Sequence, residues 1–334
     1  ACEGIRGTTI TSITTTTTTT TTTLPSILRE TCMFELSTDC SNPQELRGGD
    51  YDAYDALYLG DFSCPDYPNN FSSHPETLAE AVRIVKDQGK QCYLRLYAVP
   101  SNHELDAVKR VIETATALPF DGFEVHNMGL LRVLRELGCA TPLHLGVFGN
   151  LYTHETARVL KEYGVTRVYP NPELSLREVV FIKDQTPIEV LIPVHGKIPL
   201  VISETCFIME NAHPGAEKCS FFCAKGHWLT RSQGDWSLKD AGRMTLSGKD
   251  LCMIEHMDLL AAQGLKHFFV QGHGEERARV ATIGRAYRAA LDAIAAGEPT
   301  ASAASLASLA GLAEMGLCNG YYFEGAGQQY VGRQ

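Results

Sequence analysis

The alternation of short apolar runs with amphipathic helices is the feature that most limits the folds open to this chain. Eight apolar runs are predicted as strands, beginning at Phe34, Ala56, Gln91, Gly122, Pro142, Thr166, Ile188 and His267. Between them, apolar residues recur at three- and four-residue steps, as in the segment 78–85. Strict strand–helix alternation predicts a parallel sheet, and eight units predict an α/β fold of the (β/α)8 type, a TIM-like barrel. An open doubly wound sheet is the alternative.

The predicted helices carry their own boundary signals. Ser175 followed by Glu178 has the spacing of a capping box, which satisfies free backbone N–H groups at a helix start. Four glycines stand where helices should end: Gly89, Gly138, Gly164 and Gly264. Glycine is favoured there because it adopts the left-handed conformation without a steric penalty.

Length and composition favour one main domain. The 334 residues are 44% hydrophobic, enough for a large core. Residues 1–32 contain ten consecutive threonines, Thr14 to Thr23, and are predicted as a low-complexity, disordered extension. Residues 33–297 are predicted as the barrel, and residues 298–334 as a C-terminal tail.

Charge and cysteine content bound the partners and the compartment. A formal charge of −10 disfavours nucleic acid as a partner, because phosphate backbones are bound by basic surfaces. No apolar run reaches the length of a membrane span, and no signal peptide is recognised. Eleven cysteines in a chain with a large core are expected to be reduced thiols, so a cytoplasmic protein is predicted.

The regular alternation breaks once, between Val194 and Gln263, which predicts an insertion of about residues 195–263 after the seventh strand. The insertion contains Cys206, Cys219 and Cys223 in a C-x12-C-x3-C pattern, and Cys64 directly follows the second strand. The carboxyl ends of the strands in such a barrel meet on one face, where active sites are built. All four cysteines are therefore expected on that face.

Thiols gathered in this way are typical of a soft-metal site. An iron–sulfur cluster takes four thiolates and suits the pattern better than zinc does. Zinc remains an alternative, with His213 or His227 as its fourth ligand. In the cluster interpretation, Cys64 competes for the fourth position with Cys252, which lies at a predicted helix start.

Polar residues near predicted strand ends could line a substrate pocket: Arg95, His126, Asn127, His144 and Asn150. No G-x-S-x-G elbow, phosphate-binding glycine loop or H-E-x-x-H helix is present, so ordinary hydrolases and nucleotide enzymes are not indicated. The sequence names no catalytic nucleophile.

Three segments carry a resemblance to a known family: "GVTRVYPNPELSLREV", "LSGKDLCMIEHMDLLAAQGLKHFFVQG" and "RVATIGRAYRAALDAI". They resemble the collagenase-like peptidase family of unknown catalytic type, over about Phe34 to Ile294. That family includes RNA hydroxylation proteins and the ubiquinone-pathway pair UbiU and UbiV. Within "NPELSL" the family's glutamate is retained as Glu173, a further candidate substrate contact.

The cysteine segment is the most specific part of the resemblance. Typical members carry "HGALC", whereas this chain has "HGKIPLVISETC" with Pro199 at the first cysteine position. UbiV is similar in that loss, in the C-x12-C-x3-C spacing and in a cysteine after its "YLG" strand. The resemblance therefore implies a [4Fe–4S] cluster on Cys64, Cys206, Cys219 and Cys223, although Cys252 keeps the ligand position of typical members.

The resemblance also implies a function, an oxygen-independent hydroxylation with prephenate as the oxygen donor. The leading hypothesis is a UbiV-like subunit acting with a UbiU-like partner on a small aromatic substrate, in ubiquinone biosynthesis or a related pathway. The tail "CNGYYFEGAG" is closer to the RNA-modifying members, so RNA or tRNA hydroxylation is the second hypothesis. A collagenase-like peptidase and a non-catalytic assembly subunit are the remaining ones.

Overall fold

The structure is a computed structural model that describes residues 34–67, 70–71, 75–211, 215–216, 219, 221–225, 227–230, 236–300 and 302–333. The predicted extension, residues 1–32, lies outside the described residues. In the described part of the chain, no helix is both long and apolar enough to cross a membrane.

The strands of the described residues form one connected sheet. Their bounds are β1 (Glu35–Cys40), β2 (Ala56–Leu59), β3 (Gln91–Arg95), β4 (Gly122–Val125), β5 (Leu143–Leu145), β6 (Val165–Val168), β7 (Glu189–Ile202), β8 (His227–Thr230), β9 (Ser237–Asp240), β10 (Met244–Cys252), β11 (His267–Val270) and β12 (Leu317–Cys318). Strands β1 to β7 pair in sequence order, all parallel. Strand β11 pairs in parallel with both β7 and β1, which closes an eight-stranded barrel.

This closure confirms the TIM-like barrel and excludes the open doubly wound sheet. Each predicted strand became one of the eight barrel strands, because runs of Val, Leu, Ile, Phe and Tyr suit a sheet that helices and barrel interior cover on both faces. The strand pairing places one residue of each of three neighbouring strands at the same level of the barrel: Glu35 lies opposite His267, and His267 lies opposite Leu191.

Helices lie between the barrel strands, with their apolar faces inward. Their bounds are α1 (Leu78–Asp87), α2 (Leu105–Thr116), α3 (Met128–Glu136), α4 (His154–Glu162), α5 (Leu176–Gln185), α6 (Phe207–Asn211), α7 (Met257–Ala262), α8 (Arg277–Ala296) and α9 (Ser302–Leu312). The Ser175 side chain accepts a hydrogen bond from the Glu178 N–H, as the capping box predicts. The four predicted stop glycines all have positive φ, between 67° and 90°.

Strand β7 is where the regular barrel ends. It pairs with β11 up to His195 and then continues out of the barrel to Ile202, paired antiparallel with β10. Gly196, with φ +104°, lies at the point of departure, and a Cβ there would lie 2.3 Å from the Gln271 carbonyl oxygen. Only glycine allows β7 to pass so close to the loop after β11.

The predicted insertion is therefore a sheet extension built on β7, β10, β9 and β8. The stretch that ends at Cys252, placed at a helix start by the sequence, is in fact strand β10. This segment is a strand because it pairs with β7, a long-range contact that the local sequence pattern does not predict. The segment set apart as a tail packs on this extension, since β12 pairs with β10 and the Tyr322 hydroxyl donates to the Pro193 carbonyl (2.8 Å).

Candidate functional site

The four predicted cysteine ligands come from two parts of the chain, the loop after β2 and the insertion after β7. Cys64 lies half-buried in the loop after β2, and Cys206 immediately precedes α6. Cys223 lies half-buried in a short 3-10 helix, Phe222–Lys225, whereas Cys219 is exposed. The thiols of Cys64, Cys219 and Cys206 all lie close enough to Cys223 to oppose its ionisation. Cys223 therefore lies near the other three thiols, and Cys64 follows the carboxyl end of β2.

Gly242, in the turn between β9 and β10, forms the floor beneath two of these thiols. A Cβ on Gly242 would lie 3.3 Å from the Sγ of Cys206 and 4.0 Å from the Sγ of Cys223. The turn is fixed by Asp240, whose carboxylate accepts the Gly242 N–H (2.8 Å), and the Gly242 carbonyl accepts the Phe207 N–H (2.8 Å). Sequence reasoning missed this residue, since a lone glycine in a polar stretch gives no signal of what lies against it.

Burial keeps the thiols of Cys64 and Cys223 protonated at neutral pH. It raises the pKa of Cys64 to about 12, and the nearby Arg243 offsets only part of the effect. Burial also raises the pKa of Cys223 to about 12, and the surrounding cysteines add to it. A nucleophilic cysteine needs a lowered pKa, so neither thiol is prepared for peptidase chemistry. A metal that binds thiolates would displace these protons.

The donor set has the composition that a cluster takes. Four cysteine thiolates are the ligands of a [4Fe–4S] cluster, and the other three thiols lie near Cys223. Among the described residues, no three His, Cys, Asp or Glu side chains are grouped as a site for one metal ion. In addition, the Phe221 N–H points to the Sγ of Cys219 (3.4 Å), the type of contact that tunes cluster sulfurs. The residues present therefore fit a four-thiolate cluster.

The competing ligands are placed elsewhere or outside the described residues. Cys252 is fully buried in the hydrophobic core, with its sulfur 3.7 Å from the Tyr287 hydroxyl. For the zinc alternative, His227 lies in β8 opposite Asp240 of β9, and His213 lies outside the described residues.

Arg95 and His126, two of the predicted pocket residues, meet at the barrel mouth in a chain of buried charges. The Arg95 guanidinium lies 3.2 Å from Asp39 and 2.9 Å from Glu124, and His126 Nε2 lies 2.9 Å from the same Glu124 oxygen. Burial alone would raise the pKa of Glu124, but Arg95 and His126 outweigh it and lower the pKa. The acidic members were missed because Asp39 and Glu124 lie inside apolar strands, where an alternating pattern hides them.

Aromatic rings pack against Arg95 and His126 in this group of buried side chains. The Arg95 guanidinium lies over the rings of Phe62 (4.9 Å), Phe269 (5.0 Å) and Tyr58 (5.4 Å). The His126 ring stacks on Phe62 at 4.5 Å. These contacts hold the two side chains in fixed positions and exclude water from one side of them.

The other predicted pocket residues do not join this group. Asn127 caps α3 by accepting the Gly129 N–H, and Asn150 adopts a left-handed conformation (φ 51°) after a short 3-10 helix. Exposed Glu173 accepts the Tyr152 hydroxyl (3.1 Å). His144 lies inside the barrel, 3.0 Å from the Tyr58 hydroxyl, where burial holds its pKa well below the usual value.

Arg243 is the cationic residue next to Cys64. Its guanidinium hydrogen-bonds to the Tyr97 hydroxyl and stacks on the same ring. Its Nε is buried and has no hydrogen-bond partner among the described residues. Arg243 directly follows Gly242, so the turn that floors the cysteines also delivers a positive charge beside them. The sequence analysis did not single it out.

Comparisons with known proteins give the following matches. The model of Peptidase family U32 matches residues 50–332. An uncharacterized protease of Methanocaldococcus jannaschii is 28% identical over 257 residues, covering 73% of this chain and 61% of that protein. tRNA hydroxylation protein P of Escherichia coli is 24% identical over 319 residues, covering 80% and 69%. The solved structure of a U32 peptidase matches with a TM-score of 0.45 at 13% identity, covering 73% and 94%.

The chain thus spans less than two thirds of the length of the first of these relatives. The second is named for a hydroxylation reaction and the first for proteolysis.

Proposed function

The chain belongs to peptidase family U32, and we propose that its barrel holds a [4Fe–4S] cluster on Cys64, Cys206, Cys219 and Cys223 and serves an oxygen-independent hydroxylation. The observation that carries the proposal is the convergence of four thiols from the β2 loop and the β7–β10 extension. When bound, a cluster with four thiolate ligands supplies one-electron transfer.

The surrounding residues have separable roles in this proposal. Gly242 leaves the space above it free of side chain, so that Cys206 and Cys223 can approach a common ligand. Arg243 offers its unpaired Nε beside Cys64, which suits a carboxylate-bearing oxygen donor such as prephenate. Arg95 is less suited to that role, because Asp39 and Glu124 already neutralise it.

The first candidate acceptor is an RNA base. A relative named tRNA hydroxylation protein P favours it. The net charge of −10 weighs against direct RNA binding by this chain, so contact with the RNA would fall to a partner or to a local surface.

The second candidate is a quinone precursor, hydroxylated together with a UbiU-like partner. The replacement of a family cysteine by Pro199 favours it. Five exposed apolar side chains also belong to the extension: Leu200, Val201, Phe207, Phe221 and Trp236.

Peptidase activity has less support. In the part of the chain that the structure describes, no serine hydroxyl or cysteine thiol is hydrogen-bonded to a histidine, as a nucleophile and its base would be. Cleavage of gelatin by protein from which iron has been removed would nevertheless establish it.

Anaerobic purification of the Cys64→Ala and Cys252→Ala variants beside the unaltered chain tests the proposal. We expect about four irons per chain in the unaltered protein and in Cys252→Ala, and loss of most of the iron in Cys64→Ala. Visible absorption and iron analysis measure it, and Cys252→Ala is the matched control. Colourless protein with one zinc per chain would contradict the cluster.

The acceptor is tested in cells that lack the gene. Loss of one hydroxylated nucleoside with unchanged quinones would select RNA, and the reverse would select the quinone precursor.

A further inference from the structure

The loop that carries Cys64 is organised by one buried carboxylate, Asp61. This side chain is 1% exposed. Its Oδ1 accepts hydrogen bonds from the Ser63 N–H (2.7 Å), the Ser63 hydroxyl (2.6 Å) and the Cys64 N–H (3.1 Å). Three donors on one oxygen fix the backbone between Asp61 and Cys64 in a single turn.

The other side of the Cys64 peptide is held by Asn70. Its Nδ2 donates to the carbonyls of Cys64 (3.0 Å) and Asp61 (3.1 Å), while its Oδ1 accepts the Asp61 N–H (2.8 Å). The Cys64 carbonyl also accepts the Tyr67 N–H (3.2 Å). Both backbone polar groups of Cys64 are thus held by the loop, which leaves little freedom in where its thiol points.

Asp61 is in turn tied to the loop after β11, two strands away around the barrel. Its Oδ2 lies 2.9 Å from Nδ1 of His273, in the loop after β11, and the two groups form an ion pair when the imidazole is protonated. Three hydrogen-bond donors on Oδ1 and the imidazole beside Oδ2 favour the ionised carboxylate, so a negative charge lies within hydrogen-bond distance of the Cys64 N–H.

The cysteine arrangement explains why such a device is needed. Cys206, Cys219 and Cys223 belong to one inserted segment, whereas Cys64 comes from the barrel, more than a hundred residues upstream. Among the described residues, the hydrogen bonds to the Cys64 backbone come from Asp61, Tyr67 and Asn70, so its position is fixed from within the barrel. Among the described residues, Asp61 is the buried charged group that hydrogen-bonds to the Cys64 backbone.

We propose that Asp61 is the positioning residue of Cys64, and that its charge lowers the reduction potential of the cluster. The inference rests on the proposed function in that it takes Cys64 as a cluster ligand. The two parts separate chemically, because Asp61→Asn keeps an acceptor oxygen for the Ser63 and Cys64 donors but removes the charge, whereas Asp61→Ala removes both.

The experiment compares Asp61→Ala, Asp61→Asn and Glu124→Gln with the unaltered chain, all purified anaerobically. Glu124→Gln is the matched control, because it neutralises a buried carboxylate of the same mouth that pairs with Arg95 and His126 rather than with the Cys64 loop. Iron per chain, reduction potential by dye titration, and the alkylation rate of each cysteine in iron-depleted protein are measured.

In Asp61→Ala we expect iron occupancy to fall several-fold under a chelator and Cys64 alkylation to rise about tenfold, with Cys206 alkylation unchanged. Asp61→Asn should keep the iron occupancy and the Cys64 alkylation rate of the unaltered chain while raising the reduction potential. Glu124→Gln should leave the iron occupancy and the Cys64 alkylation rate unchanged.

Normal occupancy and normal Cys64 alkylation in Asp61→Ala would overturn the positioning role. If Asp61→Ala does not fold, an unchanged potential in Asp61→Asn overturns the inference and a raised one supports it. If the unaltered chain holds no iron, the proposed function fails, and the Cys64 alkylation rate in Asp61→Ala still decides whether Asp61 positions the thiol.

Discussion

Both ends of the barrel interior bury an arginine between carboxylates, Arg167 at the amino-terminal end and Arg95 at the carboxyl-terminal end. Arg167 donates to both oxygens of Glu35 (2.6 and 3.0 Å) and to Glu189 (2.9 Å). It also donates to the hydroxyls of Tyr58 and Tyr93 (3.5 and 3.3 Å). This end is a saturated plug that closes the barrel.

The carboxyl-terminal end is organised differently. Arg95 Nε lies 2.9 Å from Glu124 but outside hydrogen-bond geometry, and the buried Oε1 of Gln271 has no hydrogen-bond partner among the described residues. Buried polar groups usually form hydrogen bonds, so a buried group without one marks a place where stability is lower than it could be, as at many functional sites. The contrast teaches that one barrel uses the same ion-pair chemistry for stability at one end and beside a candidate site at the other.

The largest expected difference between the two ends is in the free energy of unfolding lost when each arginine is replaced. Arg167→Met should lower the free energy of unfolding by about 3–5 kcal/mol, because it leaves buried Glu35 without its main partner. Arg95→Met should cost less, about 1–3 kcal/mol, since fewer well-aligned hydrogen bonds are lost. Urea denaturation measures both, and Arg83→Met, which breaks an exposed pair with Asp87, serves as a control near zero. An Arg95→Met cost equal to or above that of Arg167→Met would break the comparison.

Two histidines should give the two ends opposite pH dependences. Burial holds the pKa of His144 well below its usual value of about 6.5. Below pH 6.5 the unfolded chain therefore binds a proton at this position that the folded chain does not. The free energy of unfolding decreases as the pH is lowered. Burial alone would also lower the pKa of His273, but Asp61 outweighs it and raises the pKa. Its contribution to stability is full below pH 6.5 and is lost as pH rises through the folded value.

The measurement is the free energy of unfolding from pH 5 to 8. His144→Gln should flatten the loss of stability below pH 6.5, and His273→Gln should remove the loss that His273 contributes as pH rises above 6.5, each by at most about 1.4 kcal/mol per pH unit. Slopes that change in the same direction in both variants would show that the ends do not differ in this way.

The smallest expected effect concerns the unsatisfied amide. Gln271→Met should change the free energy of unfolding by less than about 1 kcal/mol, or stabilise the protein, because the lost oxygen makes no hydrogen bond. At the saturated end, Tyr93→Phe removes a hydroxyl bonded to Arg167 and should cost about 1 kcal/mol. Thermal unfolding of both variants compares them. A Gln271→Met cost larger than that of Tyr93→Phe would argue that the mouth is as saturated as the plug.

The barrel could be predicted from the sequence alone, and the proximity of the four cysteines was a prediction from the same pattern. Strands, helix faces and caps such as Ser175 depend on residues a few positions apart, so their period is visible in the chain. The placement of Cys64, Cys206, Cys219 and Cys223 on one face followed from the rule that parallel strands end together.

The long-range contacts of these residues are visible in the tertiary structure alone. The strand that ends at Cys252 exists because β7 runs past the barrel to pair with it, and Gly242 matters because two thiols lie over it. His126 and His144 are equally polar in sequence, yet one lies at the mouth and the other in the interior. Each outcome depends on contacts between distant segments, which local periodicity does not encode.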